Sequence, residues 1–429
     1  MNHLLFDFGA SRIKSVIFQT DKKEFLNLYS TDGAALENIN EVPIDFFFDS
    51  FKKHINYQEN QKMKIDAINI CSEMHGYVLA DDLNKLNQEL YFSWRSEKRI
   101  KKQEDLEYFF SNLDFKKSTG MTPKNGLPVF NIRSHKNFKK KSFFLTLPEC
   151  LISAYGQWNG KISKTIAAAS GLYDIESSDW IHAIKKNKNI QLPIVSSKID
   201  ETYGSIKLKD CSVPVYGCIG DLQACFYSLG LKEDEININL GTGSQVSSLK
   251  SGKNFEIRPL FDKKNFFSIT HIPCGRALNI FSELFFRIYG SDKKNKNIFW
   301  DLFFLKSDLE NKGKIPIDFN IFKGPYKSIN QEKILEIINI NFDPKILIDN
   351  IKFSLIAQYS EIINFHKESN KKLRKIIITG SLGEKIIDFQ DILNKDTNIE
   401  VTYIHNDIDS SLVGLSEISM AIEKNKINV

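Results

Sequence analysis

Strand-like and helix-like segments alternate along this chain, and no other feature of the sequence limits the fold as strongly. The strand-like runs are short and contain several Ile or Val residues: 66–70, 213–216, 235–240 and 375–379. The helix-like runs are longer and carry apolar residues at helical spacing: 222–229, 277–289 and 348–366. The two kinds of segment follow one another along the chain, so the sequence predicts an α/β fold.

Length and composition predict two domains. A chain of 429 residues is long for a single hydrophobic core. Hydrophobic residues make up 42% of it, which is enough for large buried cores and too many for a disordered chain. The break is expected near Gly230–Asp234, which places residues 1–230 in a first domain and residues 231–429 in a second.

Charge and cysteine usage exclude several classes of function. The net charge is only +5 and the lysines are dispersed, so a solvated surface explains them better than a nucleic-acid site. The six cysteines form no Cys-x-x-Cys pair and have no zinc-site spacing, as expected of free buried thiols. No charged leader precedes a long apolar core, so we expect neither a secretory signal nor a membrane span, and a cytoplasmic location follows.

Two motifs near the middle of the chain indicate phosphoryl transfer. Gly220-Asp221 precedes a helix-like run, and the turn Gly241–Ser244 lies between two strand-like runs. A Gly/Thr/Ser turn leaves backbone N–H groups free to face a phosphate. A carboxylate near such a site repels phosphate, and is better placed to accept a proton from an attacking hydroxyl. Asp221 could instead, or in addition, cap its helix.

A second candidate phosphate loop occupies the amino terminus. Residues 4–18 read as two strands joined by a Gly/Ser turn. Within them, Phe6–Gly9 matches Ile238–Gly241, with a Ser shortly after each glycine. The repetition indicates two related halves, although coincidence stays an alternative because many hairpin turns share these residues.

Taken in order, the motifs cover nearly the whole chain and resemble those of the FGGY carbohydrate kinase family, within the superfamily of actin-like ATPases and sugar kinases. They are Asp7-Phe8-Gly9, Glu73–Gly76, Trp94 with Arg95, Lys98 and Arg99, Ala168–Asp174, Gly220–Gln223, Gly241–Ser244 and Thr379–Gly383. The resemblance implies two related actin-like, ribonuclease H-like domains with a nucleotide cleft between them, the first on the sugar side with the catalytic base and the second on the nucleotide side. Gly220–Gln223 followed by Tyr227-Ser228 is similar to sedoheptulokinase-like members.

The resemblance assigns Asp221 as the general base and Asp7 to Mg²⁺, directly or through water; a turn-forming role for Asp7 is the alternative. It places Gly9, Ser11 and Arg12 near the transferred phosphate, while Lys14 could equally point outward.

On the nucleotide side, the resemblance implies that a first loop cradles the phosphates and that the backbone of a second approaches the adenosine closely. The residues are Gly241, Thr242, Gly243 and Ser244 in the first loop, and Gly380, Ser381 and Gly383 in the second. The family often has Asn after the second loop, where this chain has Glu384, so the adenine contact is left open.

Besides Asp221 and Gln223, sugar recognition is expected from the segment Glu73–His75 and from Trp94. Glu73, Met74 and His75 follow a strand, at the end where open α/β sheets bind ligands. His75 could bind hydroxyls or be an interior histidine, and Trp94 could stack on the sugar or be a core aromatic.

Many family members have Trp-x-Asp-x-Arg at the second of these positions. Here Ser96 takes the place of Asp and Lys98 that of Arg, which indicates altered polyol contacts.

The resulting prediction is a kinase that uses ATP and Mg²⁺ to phosphorylate a hydroxyl of a small sugar or polyol, a ketose such as sedoheptulose or xylulose. A catalytically silent sugar- or nucleotide-binding regulator on the same fold is one alternative, against which the retained Asp7 and Asp221 argue. An actin-like ATPase without sugar specificity is another, and it leaves Met74-His75-Gly76 unexplained. The expected partner is a small molecule, with no nucleic acid and no membrane; a homodimer is left open.

Overall fold

The computed structural model confirms the predicted α/β fold. It describes residues 1–34, 41–95, 102–110, 114–241, 243–289, 297–315, 317, 343–405 and 407–427. Its strands are β1 (Asn2–Phe8), β2 (Arg12–Gln19), β3 (Glu24–Asp32), β4 (Glu41–Pro43), β5 (Ala67–Ser72), β6 (Val78–Ala80), β7 (Leu90–Phe92), β8 (Ser142–Leu145), β9 (Gly156–Trp158), β10 (Lys161–Ser163), β11 (Tyr173–Asp174), β12 (Asp179–Trp180), β13 (Ile190–Gln191), β14 (Ile194–Ser196), β15 (Gly204–Lys207), β16 (Ser212–Gly220), β17 (Glu235–Leu240), β18 (Ser244–Ser248), β19 (Glu256–Pro259), β20 (Asn265–Ile272), β21 (Lys375–Thr379) and β22 (Glu400–Tyr403).

Its helices are α1 (Ile44–Asn60), α2 (Lys102–Phe110), α3 (Phe115–Thr119), α4 (Pro128–Asn131), α5 (Leu147–Tyr155), α6 (Lys164–Ala169), α7 (His182–Lys185), α8 (Asp221–Leu229), α9 (Gly275–Tyr289), α10 (Ile298–Phe303), α11 (Pro344–Ser369), α12 (Phe389–Thr397) and α13 (Ser410–Ile427), with short 3₁₀ segments at Leu83–Gln88, Ile132–Ser134 and Leu309–Asn311. Within the described ranges, no helix has the length and apolar character needed to cross a membrane.

The predicted elements are present, with ends shifted by up to four residues. Strands β17 and β21 coincide with the predicted 235–240 and 375–379. Helix α11 begins four residues before the predicted Ile348, at Pro344. The Asp343 side chain caps it by accepting a hydrogen bond from the Lys345 N–H at 2.8 Å, and Pro344 has the φ that a first helical turn requires.

The chain forms two compact units. The first comprises Met1–Gly230, Arg258–Asn265 and Asp407–Val429, and the second Leu231–Ile257 and Phe266–Asn406. The break after Gly230 falls where the sequence predicts one. The prediction of residues 1–230 and 231–429 does not include the two later segments of the first unit, 258–265 and 407–429. Local composition does not show that a segment packs against a distant part of the chain.

The first unit is built on a seven-stranded sheet of order β3-β2-β1-β5-β16-β15-β9. The central strands β1 and β5 are buried along almost their whole length because both faces of the sheet are covered. One face packs against a large core that includes α1 and α5 residues such as Phe51 and Leu151. The other face packs against α13 and α8 through residues such as Leu415 and Ala224.

The second unit repeats the central topology of the first. Its sheet has the order β19-β20-β18-β17-β21-β22. Strand β17 pairs antiparallel with β18 and parallel with β21, just as β1 pairs antiparallel with β2 and parallel with β5. The matched motifs Phe6–Gly9 and Ile238–Gly241 therefore end corresponding strands, and the predicted relation between the two halves is confirmed.

Candidate active site

Three parallel strands bring three carboxylates to one edge of the first unit's sheet. Phe8 in β1 pairs with Ser72 in β5, and Ser72 pairs with Gly220 in β16. Glu73 and Asp221 directly follow paired residues, and Asp7 lies one residue before the end of its strand. Ligands of open α/β sheets bind at this carboxyl edge of the strands. The sheet thus groups the predicted base, the predicted metal contact and a predicted sugar contact.

Asp221 is the first residue of α8. Gly220 occupies the N-cap position, so the alternative of Asp221 as the N-cap is wrong. Its Oδ1 accepts a hydrogen bond from the Leu222 backbone N–H at 2.8 Å. Burial, followed by the negative charge of Asp7, raises the pKa of Asp221 to about 7, and Glu73 adds to the rise. A carboxylate with this pKa exchanges protons near neutral pH, which suits a general base.

Asp7 is buried, with 6% of its surface exposed. The Ser411 hydroxyl donates to its Oδ2 at 2.6 Å. Burial raises the pKa of Asp7, while Ser411 and the charge of Lys14 lower it. Lys14 Nζ lies 2.9 Å from Asp409 Oδ2, so its side chain is held in an ion pair within this cluster.

Asp7 is a carboxylate of the kind that binds Mg²⁺ in proteins. Magnesium takes one or two carboxylates and otherwise keeps water and phosphate oxygens as ligands. A carboxylate that burial destabilises in its charged form gains from a nearby cation. In the part of the chain that the structure describes, no group of three or more His, Cys, Asp or Glu side chains could hold a metal. Asp7 could supply one such carboxylate to a magnesium ion, as the sequence predicts.

Glu73 is a hydrogen-bonding centre for the segment that carries Trp94. Trp94 Nε1 donates to Glu73 Oε2 at 3.2 Å. The side chains of Tyr91 and Ser93 also hydrogen-bond to this carboxylate. Burial raises the pKa of Glu73, and the positive charge of Arg95 is the strongest opposing influence. Trp94 itself is 38% exposed, so it is not an ordinary core aromatic.

The other predicted sugar contacts lie on the same edge. His75 has a positive φ of 69° and its Nδ1 lies 2.5 Å from the Ala169 carbonyl oxygen. A Cβ on Gly220 would lie 2.8 Å from Met74 Cγ and 2.7 Å from Gln223 Oε1, so both side chains flank this glycine. Gln223 is buried and its Nε2 donates to the Thr165 carbonyl at 3.4 Å.

The hairpin turn after β1 rests on Gly33. The Gly33 N–H donates to the Ser11 carbonyl at 2.9 Å. A Cβ at Gly33 would lie 2.4 Å from the Ala10 carbonyl oxygen, so only glycine fits under the turn. Ser11 and Arg12 are exposed and Gly9 is half-buried. The contact with Gly33 thus holds the turn in place, while the predicted phosphate-facing residues stay accessible to solvent.

The predicted nucleotide loops meet within the second unit, because β17 and β21 are parallel neighbours and Asn239 pairs with Thr379. Gly380 has a φ of +93°, and a Cβ there would lie 2.4 Å from the Leu240 carbonyl oxygen. The Leu382 N–H donates to the same carbonyl at 3.2 Å, which joins the two loops.

Other residues of these loops differ in accessibility. Ser244 Oγ is turned inward and donates to the Asn239 carbonyl at 2.7 Å. Gly243 and Ser381 are exposed, Gly241 is half-buried and Gly383 is buried.

The Glu384 carboxylate, which stands where the family often has Asn, pairs with a histidine: its Oε1 lies 3.2 Å from His405 Nδ1. Thr242, Ser96, Lys98 and Arg99 lie outside the described residues.

Three residues of the site were not predicted from the sequence in the roles that the structure gives them. Ser411 is separated from Asp7 by 404 positions. Gly33 follows a strand and carries no phosphate-loop pattern. Arg95 was noted only as one of several basic residues. The Ser410-Ser411 pair begins the last helix, α13, but no local signal connects it to the first strand.

Comparisons with known proteins agree with this fold. No family model matches the chain. A search of curated proteins also gives no match. Three solved structures are similar, and each aligns with 99% of this chain and 90% of its own. They are a ligand-bound xylulose kinase from Lactobacillus acidophilus (15% identity, TM-score 0.75), a gluconate kinase from the same organism (14%, 0.76) and Plasmodium falciparum glycerol kinase with ADP (15%, 0.73). The chain therefore has the fold of the carbohydrate kinases, and the predicted resemblance is confirmed at the level of fold.

Proposed function

We propose that this protein is an ATP-dependent carbohydrate kinase that transfers the γ-phosphate of ATP to a hydroxyl of a small sugar or polyol. The observation that carries the proposal is Asp221, held at the carboxyl edge of the sheet with a pKa raised to about 7. The group lies in the same cluster as Asp7 and Glu73, whose charges raise its pKa. The similar solved structures are xylulose, gluconate and glycerol kinases, which supports the same reaction class here.

In the proposed reaction, the ionised Asp221 carboxylate accepts the proton of the acceptor hydroxyl. The hydroxyl oxygen forms a bond to the γ-phosphorus while the bond from that phosphorus to the bridging oxygen of ADP breaks. The proton ends on Asp221, the electron pair of the broken bond stays on ADP, and the proton then passes to solvent. A bound Mg²⁺ would supply charge neutralisation of the phosphates, with Asp7 as its protein contact.

The proposed substrate is a ketose such as xylulose or sedoheptulose, bound by Glu73, Met74, His75, Trp94 and Gln223. Support comes from their common position at the edge that carries Asp221, and from the xylulose kinases among the similar folds. The nucleotide is assigned to the Gly241–Ser244 and Gly380–Gly383 loops, with Gly9, Ser11 and Arg12 facing the transferred phosphate. A cytoplasmic location supplies the ATP.

The proposal is tested by measuring ADP release with ATP and Mg²⁺ against a panel of ketoses, aldoses, polyols and heptuloses. Asp221→Asn is assayed beside the wild type because it keeps the size of the side chain and removes the base. Turnover on a sugar that the variant loses is the expected result. Sugar and nucleotide binding without turnover on any member of the panel would favour the silent regulator instead.

A further inference from the structure

Glu73 and Arg95 place opposite charges in the proposed sugar site. Arg95 Nε donates to Ser93 Oγ at 3.3 Å, and the guanidinium carbon lies 5.9 Å from the centroid of the Trp94 ring. Trp94 and Ser93 in turn hydrogen-bond to the Glu73 carboxylate. The guanidinium is therefore held by two side chains that the carboxylate orients. Its charge is balanced locally by that carboxylate.

Two residues of the proposed sugar site each have a buried polar atom without a hydrogen-bond partner in the described part of the chain. One is Arg95 Nη2, a donor, and the other is Gln223 Oε1, an acceptor. Gln223 is 1% exposed and flanks Gly220 beside Met74. A buried polar atom without a partner costs free energy, so a ligand group that pairs with either atom gains affinity. Arg95 Nη2 needs an acceptor, and Gln223 Oε1 needs a donor.

We infer that the Glu73–Arg95 pair makes this site select an uncharged polyhydroxy substrate over a sugar acid, an inference that rests on the proposed function of the site. Hydroxyl groups can accept a hydrogen bond at Arg95 or donate one at Gln223, whereas a carboxylate can only accept. A lone guanidinium would bind a carboxylate strongly through two parallel hydrogen bonds. Here Glu73 offsets its charge, and Asp7 and Asp221 on the same edge repel an anion.

Glu73→Gln tests the pair because it removes the charge and keeps an oxygen that can accept from Trp94. Arg95 is then uncompensated and should attract a carboxylate. The attraction between the Arg95 guanidinium and a ligand carboxylate is estimated as that of two unit charges about 5 Å apart at an effective dielectric constant of about 20. It corresponds to roughly a hundredfold or more in the binding constant. Because solvent screens part of this, we expect the preference for acid over neutral ligand to rise about tenfold or more.

The experiment measures binding by calorimetry without nucleotide, so its outcome does not depend on turnover. The ligands are D-xylulose and a matched pair, D-glucitol and D-gluconate, which differ only in the group at C1. Glu24→Gln, an exposed glutamate on β3, is the matched control for loss of one negative charge. Arg95→Met removes the donor and should abolish any gain in gluconate binding when combined with Glu73→Gln.

The expected result is a wild-type protein that binds a neutral ligand more tightly than gluconate, and a Glu73→Gln variant in which the ratio moves toward gluconate. A ratio that changes by less than twofold in a variant with unaltered thermal stability would overturn the inference. Wild-type protein that prefers gluconate, or binds no neutral member of the set, would overturn it as well. Selective neutral binding without ADP release would leave the inference standing and refute the proposed kinase activity.

Discussion

Replacing Asp221 by Asn should abolish phosphoryl transfer and, at neutral to alkaline pH, stabilise the protein. The loss of activity follows from losing the base, which contributes about 10²- to 10⁴-fold in comparable reactions. The gain in stability follows from the electrostatic environment of Asp221. Burial and the charges of Asp7 and Glu73 disfavour its ionised form in the folded protein. Asn can still accept the Leu222 N–H hydrogen bond, and it carries no charge.

The size and sign of the gain follow from the pKa. The value rises from 3.8 to about 7 on folding, so the native state holds the proton more tightly than the unfolded state. The contribution of Asp221 to the free energy of unfolding is therefore most favourable below pH 4 and falls as the pH rises to about 7. A rise of about three pKa units corresponds to about 4 kcal/mol as an upper bound. Partial exposure of Asp221 reduces it, and we expect about 2 kcal/mol.

Thermal unfolding of wild type and Asp221→Asn from pH 4 to pH 8 measures this difference. EDTA is present and nucleotide absent, so that no ligand or metal contributes. For a domain of this size, about 2 kcal/mol corresponds to a shift of about 4 °C. The two melting temperatures should coincide near pH 4 and separate by pH 8, with the variant higher. A separation that is constant across the range, or a variant that is less stable at pH 8, would refute the assigned environment of Asp221.

Two further predictions concern the metal contact and the nucleotide loop. Asp7→Asn should raise the Mg²⁺ concentration needed for half-maximal activity by about tenfold, and an unchanged metal titration would count against Asp7 as a contact. Gly380→Ala should lower stability by about 1–3 kcal/mol and weaken ADP binding, because its φ is +93° and the new Cβ would lie 2.4 Å from the Leu240 carbonyl oxygen. Gly243→Ala, where a Cβ meets nothing within 4 Å, is the stability control, and equal melting temperatures for the two variants would contradict the clash.

Features that depend on neighbouring residues could be predicted from the sequence. The run of Ile residues in 375–379 and the alternation in 235–240 each define a strand without help from the rest of the chain. Asp221 was identified for a similar reason: a Gly-Asp pair followed by an apolar helical run marks a strand-to-helix turn. Local patterns of this kind locate the proposed base at the strand-to-helix turn, where the structure has Asp221 as the first residue of α8.

Features that depend on distant packing could not be predicted. The hydrogen bond from Ser411 to Asp7 requires the last helix to return to the first unit, and no residue near Ser411 indicates that return. The requirement for glycine at position 33 comes from the backbone of Ala10 above it. The charge pair of Glu73 and Arg95 forms through Ser93 and Trp94, so neither residue alone indicates it.

The repeated topology also explains why the two halves can take different ligands. In the first unit, Asp7 lies near the end of β1 and the residues after β5 and β16 are Glu73 and Asp221, all of them carboxylates. In the second, the position that matches Asp7 is the uncharged Asn239, and the residues after β21 and β22 are Gly380 and Ile404. An edge with three carboxylates repels phosphate and suits hydroxyl groups, whereas uncharged glycine loops accept phosphate without repulsion. The proposed assignment of sugar to the first unit and nucleotide to the second is therefore consistent with the charges at equivalent positions of one repeated topology.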